Sequence, residues 1–230
     1  MTTATTTYPP ELLAALRRVT GDEKHSFSSM STLDALWVLY DRVLRIGPQT
    51  LDAPDRDRFL LSKGHGPAAF YAVLAAKGII PVEWLDDMGA AHSRLGYHPD
   101  RTLVPGAEIS SGSLGHGLGI GVGTALGLRA QGLPGVRVFV LLGDAELDEG
   151  SNHEAIAFAG ATGLDSLTVV VIDNQSSTYG WPGGIERRFT VNGWSASTVD
   201  GHDHEALEAA LSRRTNKPNA VVAVVEPKGA

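Results

Sequence analysis

Apolar positions along the chain form two alternating patterns, and their order sets the expected fold. Continuous aliphatic runs bounded by turn residues occur at 58–61 (RFLL), 136–142 (VRVFVLL), 167–172 (LTVVVI) and 220–225 (AVVAVV). Short runs without polar alternation read as strands buried on both faces. Segments of helical period lie among them. Residues 9–18 read as a short helix opened by proline, and 31–46 as an amphipathic one with Leu33, Leu36, Tyr40, Val43 and Leu44 on its apolar side. Further helices are expected at 67–77, ended by Gly78, and at 81–88, 152–161 and 204–214. Strands alternating with helices predict an α/β fold: a single doubly wound domain with a mostly parallel sheet flanked by helices. It is expected to cover residues 9–230, behind a flexible tail at 1–8. No internal repeat or second domain is visible.

Two stretches break the alternation. Residues 110–127 carry glycine at 112, 115, 117, 119, 121, 123 and 127. Each costs an isolated helix ~1 kcal/mol relative to alanine. Leu114, Leu118, Ile120, Val122 and Leu126 are interleaved with them, so the run reads as a helix entered by a glycine turn and packed closely on the sheet. Residues 176–189 show no clear periodicity and few apolar anchors, which predicts a mobile loop.

Composition then narrows the classes of function. The net charge of −7 comes without any basic cluster, which argues against nucleic acid or an anionic membrane as a partner. The absence of cysteine removes disulfides and thiolate chemistry and accords with a cytoplasmic setting. No apolar run approaches the ~20 residues that cross a bilayer.

The chemistry concentrates at 143–175, GDAELDEGSNHEAIAFAGATGLDSLTVVVIDNQ. Asp144 follows one expected strand, and Asn174 follows the next, thirty residues later. Taken singly, Asp144 could cap a helix and Asn174 close a turn. Placed jointly at successive strand ends, they occupy the edge where open α/β sheets bind ligands. Mg²⁺ takes oxygen ligands and commonly shares them with phosphate, while a helix N-terminus favours anions. The pair therefore points to a metal–diphosphate site.

This stretch resembles the thiamine-diphosphate motif, Gly-Asp-Gly followed some thirty residues on by Asn, in its transketolase form. GDAELDEGSNHEA stands where transketolases read GDGE-x-x-EG-x-x-(W/H)EA. LSKGHG (61–66), the His98-Pro99 pair, PGAEISSGSLGHGLGIGVGTALG (105–127) and VDGHD (199–203) follow the same order and spacing, so the resemblance covers residues 10–228. It implies a thiamine-diphosphate-binding fold with Mg²⁺ held by Asp144, Asn174 and the Ser176 carbonyl. It further implies cofactor contacts from His65, Gly112, Ser113, Leu114, Gly143, Asp144, Ala145, Glu146 and Asn174. His25, His65 and His98 are the implied catalytic, substrate-facing residues. Glu149 resembles a carboxylate that communicates between active sites, and reads equally as a solvated glutamate at a helix start.

Several positions depart from the family pattern. Phe27 and Tyr97 replace glycines near His25 and His98, Ala145 replaces the second glycine of Gly-Asp-Gly, and Gln175 replaces a frequent glycine. In the family, the Glu that activates the aminopyrimidine comes from a following domain. The implied protein is thus the N-terminal subunit of a split transketolase. Paired with a C-terminal subunit in a heterotetramer, it would transfer a two-carbon ketol unit from a ketose to an aldehyde. Sugars or sugar phosphates are the implied substrates, and the departures near the substrate channel point to specialised metabolism. Two alternatives stand beside this: a subunit of another thiamine enzyme, such as a ketoacid dehydrogenase E1 α chain or a deoxyxylulose-phosphate synthase, and a non-catalytic binding module that kept the fold.

Overall fold

Strands buried on both faces need a parallel sheet covered by helices on each side, and the chain builds one. The computed structural model describes residues 8–20 and 30–228. Its five strands are β1 (Arg58–Leu61), β2 (Val138–Gly143), β3 (Leu167–Asp173), β4 (Ser195–Asp200) and β5 (Asn219–Val224). Their order is β1-β2-β3-β5-β4, and every pair is parallel. Alternate side chains enter opposite cores. Phe59, Phe139, Leu141, Val170, Ile172 and Val221 pack under α1 (Pro10–Arg18), α2 (Leu33–Val38), α3 (Pro67–Ala76) and α7 (His204–Leu211). Leu60, Val138, Val140, Leu142, Val169 and Val171 face α4 (His116–Ala130), α5 (Gly150–Ala161) and α6 (Gly184–Thr190). Each such residue, fully buried, contributes ~1.5–3 kcal/mol.

The four apolar runs form the expected strands, while the more polar elements differ. Helix α2 passes at Leu39–Val43 into a π turn, and Leu44 is extended, so it stops short of residue 46. Val82–Asp87 is a 3₁₀ helix, tighter than the α-helix expected there. Strand β4, SASTVD, has no apolar run to announce it. The stretch 176–189 is not a loop throughout, because α6 begins at Gly184. Phe189 is fully buried edge-on to Trp194, and Trp181 lies between His153 and the Arg188 guanidinium. Residues 1–7 of the expected tail lie outside the described residues, but Tyr8 is tied down. Its hydroxyl donates to Asp34 at 2.7 Å, and Asp34 also accepts from His202 Nδ1 (2.8 Å) and His204 Nε2 (2.7 Å).

An ionic cluster pins the amino edge of the sheet. Asp57, fully buried just before β1, accepts from the Arg45 backbone N–H (2.9 Å) and guanidinium (2.8 Å). Arg137, just before β2, adds its own backbone N–H (3.1 Å) and Nε (3.0 Å). Burial by itself would raise the Asp57 carboxyl, but the hydrogen bonds from Arg45 and Arg137 outweigh it and bring the pKa down to about 2. A depressed carboxylate contributes stability that is present above its unfolded value of 3.8 and lost as pH falls through its folded value. The expected contribution is about 2 kcal/mol at neutral pH. Urea unfolding of Asp57→Asn should show a loss of about 2–3 kcal/mol at pH 7, because the largely buried Arg137 loses its carboxylate partner. Its stability should then vary less than the parent's between pH 4 and pH 2; equal slopes would exclude the cluster as a source of acid lability.

Candidate active site

Because all five strands are parallel, their carboxyl ends share one edge, and the loops leaving them emerge side by side. β1 delivers Ser62, Lys63, Gly64 and His65; β2 delivers Asp144, Ala145 and Glu146; β3 delivers Asn174 and Ser176. The glycine turn before α4 closes over them. The loops enclose a cavity of about 220 Å³ lined by Lys63, Gly64, His65, Leu114, Gly143, Ala145, Glu146, Asn174, Ser176 and Lys228. A larger cavity, about 490 Å³, lies between α6 and the β4 side of the sheet and contains none of the site residues read from the sequence.

Asp144 and Asn174 are both buried, at 2% and 3% exposure. Asp144 Oδ2 accepts the backbone N–H groups of Ser176 (2.6 Å) and Ser177 (3.0 Å), and Oδ1 accepts the Ser176 hydroxyl (2.6 Å). The turn carrying Ser176 is therefore wrapped on Asp144. Asn174 Oδ1, in contrast, is buried without a hydrogen-bond partner. An unpaired buried acceptor costs ~1–3 kcal/mol, which a cation would repay. The donor set is all oxygen and fits a hard ion such as Mg²⁺. Among the described residues no group of three or more His, Cys, Asp or Glu could hold a metal, so charged side chains alone do not make this a cation site. Gln175, between Asn174 and Ser176, has φ +56°, a left-handed conformation that costs a non-glycine residue roughly 1–2 kcal/mol. The departure from glycine noted in the sequence thus falls where glycine would relieve strain.

His65 and His98 are exposed, with ring centroids 6.4 Å apart. His98 Nδ1 lies 2.9 Å from the Gly64 carbonyl and donates to it, which leaves Nε2 as the acceptor of a neutral ring. Gly112 has φ +127°, and a Cβ there would sit 2.9 Å from the His98 ring, so this glycine admits the histidine. Ser113 and Leu114 are exposed beside it. His25 and Phe27 lie outside the described residues. All other site residues read from the sequence meet at this edge.

Two lysines, Lys63 buried and Lys228 exposed, add what the sequence reading missed. Lys63 is 7% exposed and donates from Nζ to Ser31 Oγ at 2.9 Å. Burial lowers its pKa to about 8 against the pull of Asp144 and Glu146. Lys228 reaches the same cavity, its backbone N–H donating to the Asn174 carbonyl at 2.8 Å. A lysine between a strand end and two glycines was the available signal for Lys63. Glu146 lines the cavity but directs its oxygens into the protein, and burial holds its carboxyl above the ordinary range despite the donors around it.

A strand-edge cavity on a parallel α/β sheet thus brings together two buried carboxylates, an unpaired amide oxygen and two lysines. The family model for the transketolase thiamine diphosphate binding domain matches residues 16–225, and the chain belongs to that family. It is similar to ferredoxin fas2 of Rhodococcoides fascians, 56% identical over 221 residues that cover 96% of this chain and 73% of that protein. This chain has no cysteine and so offers no thiolate for an iron–sulfur cluster. It is 35% identical to the 6-deoxy-6-sulfo-D-fructose transketolase subunit SqwG of Clostridium sp. (strain MSTE9), over 90% of this chain and 78% of that one. Among solved structures, the transketolase of Campylobacter jejuni superposes with a TM-score of 0.78 at 26% identity. That likeness takes in 93% of this chain but 37% of the Campylobacter chain, so a transketolase domain is matched and the greater part of that enzyme is not.

Proposed function

We propose that this chain is the diphosphate-binding subunit of a two-component transketolase. The observation that carries the reading is the unpaired Asn174 Oδ1 beside Asp144 at the carboxyl edge of the sheet. Asp144, Asn174 and the Ser176 carbonyl hold Mg²⁺. Gly112, Ser113, Leu114, Gly143, Ala145 and His65 surround the diphosphate of thiamine diphosphate, with Glu146 behind them. The cofactor, when bound, supplies the electron sink for cleavage of a carbon–carbon bond next to a carbonyl.

The remaining chemistry belongs to the protein. His98, its Nδ1–H fixed on the Gly64 carbonyl, presents Nε2 to the substrate to exchange a hydroxyl proton, and His65 and His25 orient the rest of a polyhydroxylated substrate. A second chain carries the aminopyrimidine-binding domain and its activating glutamate, in a cytoplasmic heterotetramer. The substrates are sugars or sugar phosphates of a specialised pathway, and residues 9–230 form the functional domain. No described helix is long and apolar enough to cross a membrane.

The test is a transfer assay on the reconstituted pair with a ketose labelled with ¹³C at C1 and C2 and a panel of aldehydes. Both labels should move together to the acceptor. Release of a one-carbon fragment, or no cleavage by a complex that retains Mg²⁺ and thiamine diphosphate, would overturn the reading.

A further inference from the structure

One buried carboxylate ties together the loops that wall the cavity. Glu146 is 1% exposed and ends on three different segments. Its Oε1 accepts the Ser62 hydroxyl from the β1 loop at 2.5 Å and the Gly115 N–H from the glycine turn at 3.0 Å. Its Oε2 faces the Gly143 N–H at the end of β2, at 3.4 Å. The Ser62 hydroxyl in turn accepts the Gly117 N–H at 3.0 Å, in the first turn of α4. The Glu146 carbonyl is held by Asn152 Nδ2 at 2.6 Å, which fixes the backbone from which the carboxylate extends.

The donors leave no room for alternatives. A Cβ on Gly117 would come within 2.2 Å of Ser62 Oγ. Gly115 has φ +85°, and a Cβ there would meet Ser151 Oγ at 2.6 Å. The bare backbone at 115 and 117 is thus what allows the glycine turn to reach Ser62 and Glu146. Lys63 and His65 follow Ser62, Gly112 and Leu114 precede Gly115, and Asp144 follows Gly143. Each group assigned to the ion or the diphosphate lies within three residues of an atom bonded to this knot, Asn174 and Ser176 excepted.

Resting on the reading above, we propose that Glu146 is a positioning residue for that site: it sets the register of the three loops and acts on the diphosphate through them, not by touching it. Partners behind a metal site commonly govern affinity in this way. A glutamine keeps the length but must set an NH₂ against a donor, the Gly143 N–H in one orientation or the Ser62 hydroxyl and Gly115 N–H in the other. An aspartate is one methylene too short to serve Ser62, Gly115 and Gly143 together.

The full chain should be titrated calorimetrically with Mg²⁺ and inorganic diphosphate, as parent, Glu146→Gln, Glu146→Asp, Ser62→Ala and Asp57→Asn. Glu146→Gln should weaken diphosphate binding about 10–100-fold. Glu146→Asp should fail to restore it, and Ser62→Ala should fall between. Asp57→Asn, destabilised at the opposite edge of the sheet, should bind as the parent does. Amide exchange should rise at Gly115 and Gly117 in Glu146→Gln and stay at parental rates there in Asp57→Asn. Parental affinity in Glu146→Gln, or equal weakening in Asp57→Asn, would overturn the positioning role; Ser62→Ala decides the matter by the same comparison if Glu146→Gln does not fold. A parent chain that ignores Mg²⁺ and diphosphate would instead remove the cofactor-site reading, and this inference with it.

Discussion

Asp144→Ala and Asn174→Ala are each expected to abolish Mg²⁺-dependent retention of thiamine diphosphate, with affinity falling at least about 100-fold, or ~2.7 kcal/mol. Each removes an inner-sphere oxygen from a set in which this chain provides a single carboxylate, so the loss has no local substitute. The two variants should part company in the cofactor-free protein. Asp144 accepts three hydrogen bonds from Ser176 and Ser177, and its removal unfastens the turn that follows β3. Thermal unfolding of Asp144→Ala should therefore move down. Asn174→Ala deletes a buried oxygen that has no partner, so its Tm should hold or rise. Such a trade, in which an unpaired polar group lowers stability and enables binding, is the signature of a site awaiting its ligand. Calorimetric titration with and without Mg²⁺, alongside unfolding curves, measures both halves. Unchanged cofactor affinity in the two variants would eliminate the metal site.

The other large effect is all-or-none. Alone, this chain should show no ketol transfer; mixed with a chain carrying the aminopyrimidine-binding domain, it should turn over. The described residues form one sheet, and all five of its strands are used in it. Leu114, which lines the cavity, is 40% exposed, and Tyr97 and Tyr179 are exposed at 41% and 65%. Surfaces of this kind mark contacts with other proteins. Closed two-fold assemblies are the commonest, which favours two copies of each chain. Co-purification, sizing of the complex, and assays of each chain separately and mixed provide the measurement. Full turnover by this chain by itself would refute the two-component reading.

Legibility in the sequence followed how local each determinant is. β2, β3 and β5 announced themselves because strands buried on both faces contain little but aliphatic residues. β4 did not, because it is an edge strand whose Ser195 and Ser197 are only partly covered and whose Thr198 is exposed. Helix α6 was hidden for a related reason: its buried residues are Arg188 and Phe189, behind a pair of glycines, and two positions do not make a period. Asp144 and Asn174 were legible because the end of a strand is a local fact, and parallel pairing then brings such ends to one edge. The role of Glu146 was not, since it depends on Ser62 and Gly115, which the chain brings in from 84 and 31 residues away.

Parallel pairing also governs how the molecule emerges during synthesis. β1 has a neighbour on one side only, and in register Arg58 pairs with Val138. At about 5–20 residues per second, translation leaves β1 waiting roughly 4–16 s for its partner. Through that interval Phe59, Leu60 and Leu61, all destined for full burial, have no sheet to join. The helices α1, α2 and α3 have no sheet to cover either. A nascent chain stalled near residue 130 should accordingly be held by chaperones and cut readily by protease, and one stalled on a tether added after residue 230, with β5 clear of the ribosome, should resist. The sheet of this chain therefore cannot start to pair before residues 138–143 have been made.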